Sequence, residues 1–173
     1  MRHSMYVVHN IEVAHRLLRL PGKCQNIHGH SMNVILQMYG TLNERGILAG
    51  LDFAAVKKAF RTHLDTVYDH HLLLNADDPW SGLLSGGARQ ANGDSFGIQA
   101  LPGLTVVDGD PTTENIAGWI CKWACDVFAR PEIDSIEVSI SETATNGAVA
   151  THDFNWFPVN AERKSTVVSN ASE

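Results

Sequence analysis

The sequence predicts an α+β domain, with helices laid on one face of an antiparallel sheet, and three observations carry that prediction. Three segments alternate apolar and polar residues with the period of two expected of half-buried strands. Two others repeat apolar residues every three or four positions, as amphipathic helices do. The first two strands are joined by a connection too short for a crossover helix, so they pair antiparallel. At 173 residues, 44% hydrophobic and 18% charged, the chain has the size of one globular domain. A domain of this length buries roughly 68–70% of its unfolded surface, so a metal would be functional here rather than a folding staple.

The first strand runs from Tyr6 to His15, with Val7, His9, Ile11, Val13 and His15 on one side and Tyr6, Val8, Asn10, Glu12 and Ala14 on the other. From His28 to Tyr39 the alternation is clearer. His28, His30, Met32, Val34, Leu36 and Met38 share a face, so two histidines end an apolar stripe. Between Asp52 and Tyr68 the residues Phe53, Val56, Phe60, Leu64 and Val67 mark a helix, with Asp52 as its N-cap. A second helix is expected over Thr112–Ala129, started by Asp110-Pro111-Thr112, with Cys121 and Cys125 as buried structural thiols. A last strand, Ser135–Thr143, leaves Glu142 as a carboxylate at the end of its apolar face. Residues 75–109 hold seven of the fourteen glycines without a sustained period and are expected to form a long surface insertion. The domain is expected over residues 1–160, and 161–173 as a polar, flexible tail.

Charge and composition narrow the function classes. Thirteen basic against nineteen acidic residues give a net charge of −6, without the basic footprint of a nucleic-acid binder, so a small-molecule partner is expected. No apolar run approaches the ~18 residues of a membrane span. Three cysteines and no charged-then-apolar leader point to a reducing, cytoplasmic setting. Nine histidines suggest metal binding or proton transfer, although scattered surface histidines would give the same count.

Position separates these readings in part. His28 and His30, two apart on a strand, project the same way and can share one ion, with His15 on the neighbouring strand as a third nitrogen donor. Three imidazoles with a vacant fourth position form a catalytic-zinc arrangement; the alternative is half-buried strand histidines with hydrogen-bonded rings. Cys24, in a loop four residues before His28, suits a nucleophile or general base, with metal ligation and an inert thiol as competing roles. In Asp69-His70-His71 a carboxylate stands ready to orient an imidazole.

Together these segments resemble a known family. The run Val13-Ala14-His15-Arg16-Leu17, the Cys-x-x-x-His-Gly-His pattern from Cys24 to His30, Leu51-Asp52-Phe53, Asp69-His70-His71, Pro111-Thr112-Thr113-Glu114-Asn115 and Glu142-Thr143 look like the 6-pyruvoyltetrahydropterin and 6-carboxytetrahydropterin synthases. The three-residue spacing between Cys24 and His28 is closer to the 6-carboxy branch. The resemblance implies the tunnelling fold (T-fold), an antiparallel four-stranded sheet with two helices, assembled as homotrimers or homohexamers with active sites between subunits. It implies Zn²⁺ on His15, His28 and His30, and proton transfer by Cys24, Asp69 and His70. Glu142 would anchor a pterin, and Thr112, Thr113 and Glu114 would lie in or near its pocket. Lys23, Arg16 and His71 are the candidates to meet a triphosphate.

The implied reaction converts 7,8-dihydroneopterin triphosphate to 6-carboxy-5,6,7,8-tetrahydropterin, releasing acetaldehyde and triphosphate, within 7-deazaguanine and queuosine synthesis. The alternatives are 6-pyruvoyltetrahydropterin formation, which would use the same residues, and a non-catalytic pterin-binding module. Three departures bear on substrate preference: the insertion lengthens the stretch before Pro111, Asn75 falls one position later after Asp69 than the family pattern has it, and an aromatic residue often found a few positions beyond the Glu142 motif is replaced near Ala148-Val149-Ala150.

Overall fold

A computed structural model describes residues 2–87 and 100–156. The strands are β1 (His3–His15), β2 (His28–Gly40), β3 (His71–Asn75), β4 (Leu104–Val107), β5 (Ile133–Ser141) and β6 (Gly147–Asp153). The helices are α1 (Phe53–Val67), the single turn α2 (Pro79–Gly82) and α3 (Thr113–Phe128). One sheet holds all six strands in the order β4-β3-β1-β2-β5-β6.

The alternating segments form the strands expected of them. β1 and β2 pair antiparallel along their whole length, from His3 opposite Gly40 to His15 opposite His28. β5 adds antiparallel to β2, and β6 to β5. At the far end of β2, the strand passes so close to the Glu132 carbonyl that a Cβ on Gly40 would collide with it. The helices start where the caps predicted: the Asp52 side chain accepts from the Ala55 N–H, and Thr112 accepts from the Asn115 N–H.

The expected four-stranded sheet with two helices needs correction. β1, β2, β5 and β6 are the four antiparallel strands, but β3 and β4 extend the sheet past β1 in parallel, and α2 is a third helix. A parallel strand covered on both faces reads as a short apolar run, not an alternation, and His71-Leu72-Leu73-Leu74 is such a run. β4 lies inside the span expected to be loop, so residues 75–109 contribute a strand and a helical turn; residues 88–99 of that span, and the tail 161–173, lie outside the described residues.

Both long helices cover the same face of the sheet. Val56, Phe60 and Leu64 of α1 and Ile116, Ile120 and Ala124 of α3 join Ile11, Met32, Val34, Leu36, Met38, Val138 and Ile140 in one buried cluster. Each fully buried aliphatic or aromatic side chain contributes roughly 1.5–3 kcal/mol. Cys121 belongs to this core, and burial pushes its thiol up to about 12. The opposite face, with Tyr6 and Val8, is exposed in the single chain. Among the described residues no helix is long and apolar enough to cross a membrane.

Candidate metal centre

Strand register assembles the centre. His15 is the last residue of β1 and His28 the first of β2, and they are direct partners across the ladder; His30 sits opposite Val13. All three side chains therefore fall on the helix-covered face, and a one-residue slip would turn His28 and His30 away. Their ring centroids are 4.6, 5.1 and 5.2 Å apart, and one ring nitrogen from each lies within 4.8 Å of the others.

Hydrogen bonds fix which nitrogens converge. A carbonyl only accepts, so the contacts from His15 Nδ1 to Pro111 O and from His28 Nδ1 to Asn26 O, both 2.8 Å, require a proton on each Nδ1. The two Nε2 atoms then carry lone pairs, and they face each other at 3.2 Å. His30 Nε2 is buried with no hydrogen-bond partner among the described residues. Two ring nitrogens with lone pairs and a third, His30 Nε2, left without a partner among the described residues are a fit for a cation. Bonds of about 2.0–2.1 Å to a tetrahedral zinc would separate two nitrogens by roughly 3.3 Å, close to the 3.2 Å between the His15 and His28 Nε2 atoms. His15 is 1% exposed. Burial pushes its imidazole below the usual value, the Pro111 bond pulls it partly back, and His28 and His30 lower it further, which favours the neutral, metal-binding form.

Glu142, just past β5, turns Oε1 toward the same point, 3.6 Å from His30 Nε2 and 3.9 Å from His15 Nε2. The Thr113 hydroxyl at the start of α3 donates to that oxygen at 2.8 Å. Thr112 spends its hydroxyl on the helix cap, and Glu114 is exposed in the first turn. Cys24 lies in the 3₁₀ turn Lys23–Gln25 between β1 and β2, half-buried, and outside the group of converging ligand atoms.

Asp69 and His70 are outside the group of converging ligand atoms. Asp69 Oδ1 accepts from the Glu12 N–H at 2.8 Å, while Oδ2 meets His70 Nδ1 at 2.9 Å. Burial alone would raise the Asp69 carboxyl, but the Glu12 and His70 bonds outweigh it and hold it below the usual carboxylate range. The His70 side chain is 78% exposed, with backbone φ of 59°, beside the edge of β1. The chain thus brings the three histidines, Glu142 and Thr113 together, while His70 is exposed on a cavity that His30 also lines. Among the cations, Arg16 pairs with the buried Asp78 at 3.3 Å and His71 Nδ1 bonds Thr105 Oγ1 at 2.7 Å, while Lys23 is exposed. Sequence reasoning missed the two backbone carbonyls that orient the ligands. The Pro111 carbonyl lies in a segment legible as a helix start and a family motif, neither of which marks it as the partner of His15.

The family model for 6-pyruvoyl tetrahydropterin synthase matches residues 4–153. A 6-carboxy-5,6,7,8-tetrahydropterin synthase of Rickettsia typhi is 30% identical over 111 residues, 62% of this chain and 70% of that protein. A probable 6-carboxy-5,6,7,8-tetrahydropterin synthase of Halobacterium salinarum is 25% identical over 133 residues, 77% of this chain and 76% of that protein. In fold, the 6-pyruvoyl tetrahydropterin synthase of Plasmodium vivax superposes with a TM-score of 0.66 at 18% identity, covering 89% of this chain and 99% of that one. A match that spans both the helix-covered sheet and the histidine centre places this chain in the 6-pyruvoyl tetrahydropterin synthase family, as a lyase-type enzyme.

Proposed function

We propose that the protein converts 7,8-dihydroneopterin triphosphate and one water to 6-carboxy-5,6,7,8-tetrahydropterin, with release of acetaldehyde and triphosphate, in 7-deazaguanine synthesis of the queuosine type. The observation that carries this is the convergence of three imidazoles beside a carboxylate, in a chain whose curated relatives are named for the 6-carboxy product. Zn²⁺ bound by His15, His28 and His30 would supply Lewis acidity toward hydroxyls of the substrate side chain. Glu142 would receive the paired N–H donors of the pterin ring; Thr113 holds Oε1, and among the described residues Oε2 has no partner. Cys24 as thiolate would take a proton from the side chain, and His70, oriented by Asp69, would return one. His70 is exposed and outside its own chain's converging ligand atoms, on a cavity that His30 also lines, and a second copy in a homo-oligomer would close that open side and join the dyad of one copy to the centre of another. Lys23, Arg16 and His71 are the candidates to meet the triphosphate, with Arg16 first released from Asp78.

Incubating the purified zinc-loaded protein with 7,8-dihydroneopterin triphosphate tests the proposal. Stoichiometric acetaldehyde and the 6-carboxy product are expected; consumption with the three-carbon side chain retained would instead identify 6-pyruvoyltetrahydropterin formation. Binding without turnover would leave a pterin-binding module.

A further inference from the structure

We infer that Asp110 is a positioning residue for the ligand His15, acting through the Pro111 carbonyl. β4 runs beside β3, where the Ala76 N–H donates to Val107 O at 2.8 Å, and Gly109, with φ of 97°, then turns the chain back across the end of the sheet. That turn delivers Asp110 to a junction of three segments. Its Oδ1 accepts from Asn75 Nδ2 at the end of β3, and its Oδ2 accepts from the Arg19 N–H in the loop after β1, both at 2.7 Å. Its carbonyl accepts from Asn115 Nδ2 and the Thr112 N–H at the start of α3, both at 2.8 Å.

Pro111 has no N–H to anchor it, and its ring fixes φ, so the direction of its carbonyl depends on what grips its neighbours. Thr112 is held as the α3 cap, and Asp110 by the contacts above. The same carboxylate grips the main chain four residues after His15, so it ties together both partners of the His15–Pro111 bond. Asn75 is 1% exposed and would lose its side-chain acceptor if the carboxylate were removed, so the junction would reorganise rather than fill with bulk water. The consequence falls on His15. A displaced Pro111 carbonyl no longer demands the proton on Nδ1, and the ring would populate the tautomer whose Nε2 carries hydrogen and cannot bind a metal. Partners that orient a metal-bound histidine typically matter 10–100-fold in affinity.

The inference rests on the metal reading above, and its test separates the two. Zinc affinity by chelator competition and the His15 ring-nitrogen shifts of the metal-free protein are measured for wild type, Asp110→Ala and Asp110→Asn. Asp110→Ala is expected to bind zinc about 10–100-fold more weakly and to show the Nε2–H tautomer at His15, with native circular dichroism. Asp110→Asn keeps one acceptor oxygen and should fall between alanine and wild type; it also carries the test if the alanine variant does not fold. Zinc affinity within twofold of wild type in a folded variant, or a His15 that stays Nδ1-protonated, overturns the inference. A wild type that binds no zinc overturns the metal reading, and the tautomer of the metal-free protein still decides the role of Asp110.

Discussion

Replacing His28 with alanine should abolish metal binding and leave a folded protein. The side chain makes one hydrogen bond, to the Asn26 carbonyl at 2.8 Å, and its half-buried ring lies beside His15, outside the apolar cluster that holds the helices to the sheet. Losing that bond costs about 0.5–1.5 kcal/mol. The loss is partly offset because the metal-free protein no longer opposes two Nε2 lone pairs at 3.2 Å. A cost of at most about 1.5 kcal/mol is small against the ~5–15 kcal/mol of a typical domain. For a chain of this size it corresponds to a fall in Tm of no more than about 6 °C. The metal side is larger. Wild type in zinc at about a thousand times its dissociation constant gains about 4.1 kcal/mol, or roughly 8–16 °C. Thermal melts followed by circular dichroism, each protein with zinc and with a chelator, give four curves. The two wild-type curves should separate and the two variant curves should coincide. A zinc-dependent rise in the variant as large as in wild type would refute the ligand assignment, and a metal-free variant already unfolded at room temperature would show the centre to be a folding staple.

Cys24→Ala should retain zinc at wild-type stoichiometry and lose turnover, because the thiol lies outside the converging ligand atoms; loss of zinc would make it a ligand. If the dyad of one copy serves the centre of another, neither Cys24→Ala nor His70→Ala turns over alone, and re-assembled mixtures of the two recover part of the wild-type rate. Mixed particles of confirmed composition that stay inactive would confine the site to one chain. His63 stacks on Trp123, centroids 4.1 Å apart and planes 3° from parallel, with Nε2 buried and unpartnered among the described residues; burial pushes its imidazole below 6.5. Its contribution to stability is therefore complete above the unfolded value and lost as pH falls from 6.5 through the lower folded value. Denaturant titrations between pH 7.5 and 5 should show wild type losing more stability than His63→Phe, and parallel profiles would exclude the effect.

How much of this was legible follows from the range of each interaction. Val34, Leu36 and Met38 report their strand because one face is buried and the other is not, and Asp52 and Thr112 announce their helices through caps three residues long. β3 escaped because its neighbours cover it on both sides, β4 because it is four residues long, and β6 because an exposed edge strand has little apolar alternation to show. The centre was more legible than the sheet around it. Two histidines at a spacing of two on one apolar face need only strand geometry, and His15 needs only antiparallel pairing with β2. Its supports were not legible: the Pro111 carbonyl lies 96 positions from His15, and no local pattern marks which carbonyl an imidazole will meet. The placement of His70 was equally hidden, since it depends on α1 delivering the chain to the outer edge of β1.

The backbone at His70 carries a trade between durability and chemistry. Its N–H donates to Glu12 O at 2.6 Å in a left-handed conformation that glycine adopts freely and that costs a residue with a side chain on the order of 1 kcal/mol. Glycine would be the thermodynamically easier residue at the corner where α1 hands the chain to β3. Selection for a more heat-resistant protein, applied without selection for turnover, would therefore press on this position early and discard its imidazole.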